Sequence, residues 1–272
     1  MSLPSPQPDA TVLITGASAG IGTELARQLA GRGHNITLVA RREDRLTELA
    51  EELRRSSGVV ADIHPCDLAD DAARERLIQA VKAGERQVAA LCNNAGYGSF
   101  GAFNELELDG EVGMVRLNVL ALHELTGSFL EPMVSRGSGA ILNLASVAAF
   151  QPIPYNATYA ATKAFVHSFS EAISAELHGT GVSVTSLCPG PVETEFGQVA
   201  GVGELESQIP GFMAQSAEEV ARAGIEAMVK GRRSVFPGMG PRVAAFSGRF
   251  APRSALLPVA ARVTERALRG RR

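Results

Sequence analysis

Between residue 11 and about residue 190, six short runs of β-branched and apolar residues alternate with longer stretches of helical pattern. The runs read TVLIT, NITLVA, VVADIHP, VAALCN, GAILNLAS and VSVTSLCP. Between them lie GIGTELARQLAGRG, REDRLTELAEELRRS, DDAARERLIQAVKAG and a long segment through residues 104–136; TYAATKAFVHSFSEAISAELHGTG follows the fifth run. Strands apolar on both faces must be covered on both faces. This rhythm therefore predicts an α/β fold: a doubly wound, mostly parallel sheet with helices on each side. The unit recurs without a linker, so residues 1–272 are expected to form a single domain. A helix at about 216–230 and a short strand, SVFPG, would close the sheet. Two regions break the rhythm. Residues 191–215 form a loop rich in Gly and Pro, and residues 241–272 form an Arg-rich, Pro-interrupted amphipathic tail.

Charge and cysteine usage exclude several functions. A net charge of −3 gives no electrostatic reason to expect nucleic acid. The charge is uneven: eight Arg and one Glu lie between Pro241 and Arg272, leaving the first 240 residues at about −10. Cys66, Cys92 and Cys188 are widely separated in apolar surroundings and read as reduced, buried thiols of a cytoplasmic protein. The start, MSLPSPQPDA, lacks a basic and then apolar leader, so no signal peptide is expected. No window approaches 18 uncharged apolar residues, so no spanning helix is expected either. The five histidines have no metal-ligand spacing, and no metal is expected; His167, four residues after Lys163, reads as helix surface or packing.

The first strand runs into TGASAGIG, residues 15–22, and then into a helix. Glycines there permit a tight turn and let backbone N–H groups approach a pyrophosphate at the helix N-terminus. Tight packing alone would also explain them. A second stretch, PYNATYAATKAF (154–165), spaces Tyr155, Tyr159 and Lys163 four apart, so on a helix they would share a face. Such a stripe could be core. It could also set a phenol beside an ammonium, which would favour phenolate and lower a pKa that is ordinarily near 10. The chain has 23 Arg and only three Lys, so a lysine within an apolar helix face suggests that a compact ammonium is required there.

Together these segments resemble the short-chain dehydrogenase/reductase family. TGASAGIG is similar to its T-G-x-x-x-G-x-G signature. NNAG (93–96), Asn118, Ser146, Tyr159-x-x-x-Lys163 and PGPVET (189–194) follow in the family's order, over about residues 11–195. The resemblance implies a Rossmann-type fold with a seven-stranded parallel sheet, a nicotinamide cofactor and interconversion of a carbonyl and a secondary alcohol. It implies that Tyr159 moves the proton, that Lys163 bonds the nicotinamide ribose and tunes Tyr159, and that Ser146 hydrogen-bonds the substrate oxygen. Asn118 would anchor a water linking Lys163 to solvent. Cofactor contacts are expected from Gly16, Ser18, Gly20, Ile21, Gly22, Asn94, Ala95, Gly96, Pro189, Gly190, Val192 and Thr194, with Thr194 meeting the carboxamide. Asn94 would support either the cofactor or the central sheet. Asp67 would lie near the adenine, or else be a helix N-cap.

The choice of nicotinamide is argued from charge. The second strand ends LVARRED, placing Ala40 where an NAD site usually has a carboxylate, with Arg41 and Arg42 next. Guanidinium pairs with a 2′-phosphate, so NADP(H) is expected, with Arg41 as the main contact and Arg42 and Ser18 assisting. Two solvated arginines at a helix start are the plainer reading. Tyr155, beside PIP at the start of the helix, is expected to shape the substrate pocket with Phe196. Phe196, Val199, Leu205, Ile209, Phe212 and Met213 give the 191–215 loop apolar walls, with Glu193, Glu195, Glu204 and Glu206 facing solvent. That composition favours a lipophilic carbonyl, although a docking lid also needs apolar residues. ARREDRLTELAEEL and PIPYNATYAATKAF look most like the branch of 3-oxoacyl reductases and hydroxysteroid dehydrogenases. The resemblance also implies a homo-oligomer, dimer or tetramer. The tail could pack at an interface, cover the cleft or lie on an anionic membrane surface. A non-catalytic NADP(H)-binding sensor or scaffold is the alternative function; such proteins usually lose one of the Ser, Tyr or Lys positions, all of which stand here.

Overall fold

A computed structural model describes residues 3–192, 194–199, 214–240, 242–243 and 253–269. Seven strands form one sheet: β1 (Ala10–Thr15), β2 (Asn35–Ala40), β3 (Ala61–Pro65), β4 (Gln87–Asn93), β5 (Gly139–Leu144), β6 (Val182–Leu187) and β7 (Ser234–Val235). Their order is β3-β2-β1-β4-β5-β6-β7 and every pairing is parallel. The chain winds outward from β1 in one direction and then restarts at β4 in the other. A crevice follows at the strands' carboxyl ends, where the connections leaving β1 and β4 go to opposite faces of the sheet.

Among the described residues the main helices are α1 (Gly20–Ala30), α2 (Glu43–Ser57), α3 (Asp71–Ala83), α4 (Leu108–Val115), α5 (Leu122–Ser135), α6 (Ala157–Glu176), α7 (Glu195–Val199), α8 (Ala217–Val229) and α9 (Arg253–Arg269). Strand alternation explains the two layers. Val12, Ile14, Ile36, Leu38, Ala90 and Leu142 face one side and pack with Leu25 of α1, Leu46 of α2 and Ile225 of α8. Leu13, Val39, Leu91 and Ile141 face the other side, against Leu77 of α3, Phe129 of α5 and Ile173 of α6. Both faces are buried, as the uniformly apolar strands require.

The long helical pattern at 104–136 is broken in three. A 3-10 turn, Phe103–Glu105, precedes α4, and a π-helical segment, Arg116–Ala121, joins α4 to α5. The π segment carries Asn118, and such insertions are frequent at functional sites. The helix containing Tyr159 and Lys163 starts at Ala157, so Tyr155 lies before it, in a turn at φ +65°. At the opposite rim of the sheet, α2 ends in a left-handed Gly58 whose surroundings are open: a Cβ there would meet nothing within 4 Å. Among the described residues, no helix is long and apolar enough to cross a membrane.

Candidate active site

A cleft of about 610 Å³ opens at the carboxyl ends of the strands. Its floor is the turn between β1 and α1. Asn94 donates through Nδ2 to the carbonyls of Thr15 (2.9 Å) and Gly16 (3.2 Å), tying the end of β4 to this turn. Of the two roles open for Asn94, the structure shows the architectural one. Gly16, Ser18, Gly20 and Ile21 line the cleft, whereas Gly22 does not. A Cβ on Gly22 would drive into the Gly16 carbonyl oxygen, so this glycine serves the close turn. Helix α1 has no side-chain cap and no acidic residue in its first turn. Its first N–H groups therefore lack a local side-chain acceptor beside the cleft, which suits an anion.

Arg41, Arg42 and Asp67 form one end of the cleft. Arg42 donates from Nε and Nη2 to Ser18 Oγ (3.2 and 3.1 Å) and from Nη2 to the Ser18 carbonyl (3.2 Å). Arg42 is thus the better-held arginine and Arg41 the looser one. Glu195 does not simply face solvent: it pairs with Arg42 Nη1 (2.8 Å) and Arg45 Nη1 (2.5 Å). Those two guanidiniums hold its carboxyl below the usual range. The N-cap alternative for Asp67 falls, because the cap of α3 is Asp70, which accepts from Ala73 N; Asp67 accepts from Ala69 N (3.0 Å).

At the other end, Ser146, Tyr159 and Lys163 line the cleft together. Ser146 follows β5 and caps the next turn by accepting from Ala148 N (3.1 Å). Tyr159 and Lys163 project from successive turns of α6. Lys163 Nζ donates to the Leu144 carbonyl (2.7 Å) and lies 5.7 Å from the Tyr159 ring centroid. Burial pushes the phenol up to about 12, opposed by hydrogen bonding to Ser146. Burial pushes the ammonium down to about 8. The expected lowering of Tyr159 by Lys163 is therefore not seen, because desolvation of the phenolate outweighs an ammonium directed at Leu144. Asn118 is buried; its Nδ2 donates to the Tyr97 carbonyl (2.9 Å) and Thr162 Oγ1 (3.1 Å), and its Oδ1 accepts from Tyr97 N (3.1 Å). Its amide holds the 96–97 segment against α6.

Ala95, Gly96, Pro189, Gly190, Val192, Thr194 and Phe196 also reach the cleft. Phe196 packs on Tyr159, ring centroids 5.4 Å apart. Tyr155 is the exception among the expected substrate contacts. It lies outside the cleft lining; Ile153 and Asn156 take that wall, and the Tyr155 carbonyl accepts from Gly101 N (2.9 Å). Sequence reasoning missed Tyr97, Phe100, Gln151, Ile153 and Asn156. Tyr97 directly follows NNAG and Asn156 directly precedes α6, and that adjacency was the available signal. His167 is packing, not surface: Nδ1 meets Ser186 Oγ at 3.0 Å inside the fold. The three cysteines are free and buried, as expected. No cluster of His, Cys, Asp and Glu suited to a metal occurs among the described residues.

The substrate loop expected over 191–215 is described only in part. Glu193 and residues 200–213 lie outside the described residues, with them Glu204, Leu205, Glu206, Ile209, Phe212 and Met213, and the Val199 side chain as well. Of the Arg-rich tail, α9 is described. Its Leu257 faces a second hollow of about 400 Å³, lined by Ala149–Pro154 and by Ala157, Ala160, Ala161 and Ala164 of α6. Gln151 and Ile153 border both the hollow and the cleft.

Residues 10–204 match the sequence profile described as short chain dehydrogenase. Sulfoacetaldehyde reductase 2 of Chromohalobacter salexigens is 40% identical over 187 residues, covering 68% of this chain and 73% of that protein. Ketoacyl reductase HetN of Nostoc is 35% identical over 182 residues, covering 67% and 63%. A short-chain dehydrogenase from Sphingobium yanoikuyae, solved in complex with NADPH, superposes with a TM-score of 0.79 at 33% identity, covering 91% of this chain and 94% of that one.

Proposed function

The chain belongs to the short-chain dehydrogenase family and is an oxidoreductase acting on CH–OH groups; from that premise we propose that it uses NADP(H) to reduce a lipophilic ketone or 3-oxoacyl group. The observation that carries this reading is one cleft with Arg41 and Arg42 at one end and Ser146, Tyr159 and Lys163 at the other. The cofactor fits the residues present. The uncapped start of α1 would receive the pyrophosphate, Arg42 and Arg41 the 2′-phosphate, and Thr194 and Lys163 the nicotinamide half. When bound, the nicotinamide supplies the hydride.

The chain's own residues supply the rest. Ser146 orients the carbonyl oxygen and donates to it as negative charge develops there. Tyr159, whose phenol keeps its proton far above neutral pH, gives that proton to the nascent alkoxide. Lys163, fixed by Leu144, provides the positive field under both groups. Ordering the ribose through Lys163 would also bring the ammonium closer to the phenol.

The substrate end supports an apolar ligand. Phe100, Ile153 and Phe196 wall it, and the only cations among the described lining residues are Arg41, Arg42 and Lys163. A small anionic substrate, of the kind named for the Chromohalobacter relative, would find no free cation there among the described residues. The same reading includes a homo-oligomer and a single domain spanning residues 1–272, with a substrate loop at 191–215. The experiment is NADPH oxidation followed over a panel of ketones and 3-oxoacyl thioesters, with NADH in parallel. Turnover of bulky ketones or thioesters with NADPH is expected. Equal use of NADH would remove the cofactor preference, and cofactor binding without turnover of any carbonyl would favour a sensor or scaffold.

A further inference from the structure

We infer that Glu195 is a cofactor-discriminating residue, whose carboxylate occupies the guanidiniums that a 2′-phosphate would engage. The inference rests on the NADP(H) reading above. Glu195 opens α7 and reaches across to the start of α2, where Oε2 accepts from Arg42 Nη1 (2.8 Å) and Oε1 from Arg45 Nη1 (2.5 Å). All three side chains are about two-fifths exposed, so the pairs are weak enough for a dianion to displace. Arg42 does not depend on Glu195 for its position, because Nε and Nη2 are fixed to Ser18. Removing the carboxylate therefore leaves Arg42 in place, frees Arg45 and deletes a negative charge beside the phosphate position. Competition outweighs preorganisation, and Glu195 lowers the preference that the arginines create. A ligand without the 2′-phosphate makes no claim on Arg42 and is indifferent to Glu195.

Calorimetric binding of 2′,5′-ADP and of 5′-AMP to the full chain tests this without turnover. In Glu195→Gln, 2′,5′-ADP should bind about two- to fivefold more tightly, the range expected of an exposed ion pair, with 5′-AMP unchanged. The gain should shrink as salt is raised from 50 to 500 mM, about the span over which screening sets in. Unchanged 5′-AMP affinity reports an intact fold. Unchanged or weaker 2′,5′-ADP binding in the variant overturns the inference, provided the wild type prefers 2′,5′-ADP over 5′-AMP. Equal binding of the two nucleotides by the wild type overturns the NADP(H) reading itself, and this inference with it.

Discussion

Tyr159 and Lys163 are pushed in opposite directions by the same cause, removal of water, and each shift has a measurable consequence. A phenol raised to about 12 is an acid held in reserve, so Tyr159→Phe should leave nucleotide binding within about twofold while cutting kcat by about three orders of magnitude or more, as judged by calorimetry and steady-state rates. Tyr155→Phe should be mild, since that ring is not part of the cleft wall. Lys163 has a folded value of about 8 against 10.5 for a free side chain. Between those values the unfolded chain binds more protons than the folded one, so this residue's contribution to stability rises with pH across that window. The stability of wild type relative to Lys163→Met should accordingly improve by up to ~3 kcal/mol between pH 8 and 10.5, read by urea unfolding of both proteins at each pH. The spacing of Tyr159 and Lys163 was legible in the sequence because a helix makes four-residue neighbours local. Asn156 was legible only through its place just before α6, because its side chain is held by a distant bond, Nδ2 to the Ser99 carbonyl.

At the level of elements, the segment of irregular winding between α4 and α5 does the joining. Asn118 on that segment satisfies both backbone groups of Tyr97 and reaches Thr162 on α6. Asn118→Ala would strand these buried and partly buried groups and should cost about 2–3 kcal/mol in urea unfolding, with kcat falling because the wall containing Tyr97 and Phe100 loosens. The β1–α1 turn is more demanding. Gly22→Ala would set a methyl against backbone, and a loss of about 3 kcal/mol or more, or failure to fold, is expected. The glycines of this turn announced themselves in the sequence, but the π segment did not. Residues 104–136 carry an ordinary helical pattern, and the extra residue per turn emerges only when Asn118 must face the end of β4 and α6 together.

Across the molecule, the parallel sheet and its two helical layers followed from the apolar runs, since a strand buried on both faces must be covered on both. What lies on the outside was less legible. Leu120 and Phe165 are over a third exposed, and Phe165 stacks on Phe169 beside His123, leaving an apolar face on the π-helical segment and α6. If copies of the chain associate there, Phe165→Arg should yield a smaller species in sedimentation velocity with nucleotide affinity retained. The sequence could not locate that face, because exposure depends on where neighbouring helices end. The two rims of the sheet also differ in what they tolerate. All of the proposed chemistry is gathered at the carboxyl ends of the strands, while Gly58 lies at the far rim with open space around it. Gly181, on the same rim, would drive a Cβ into the Gly137 carbonyl, so those two turns interlock. The α2–β3 turn is therefore the natural anchorage for fixing the protein to a solid support: a graft at the exposed Ser56, which leaves the left-handed Gly58 a glycine, would present the cleft to the passing solution, while one at Gly181 would unseat the frame.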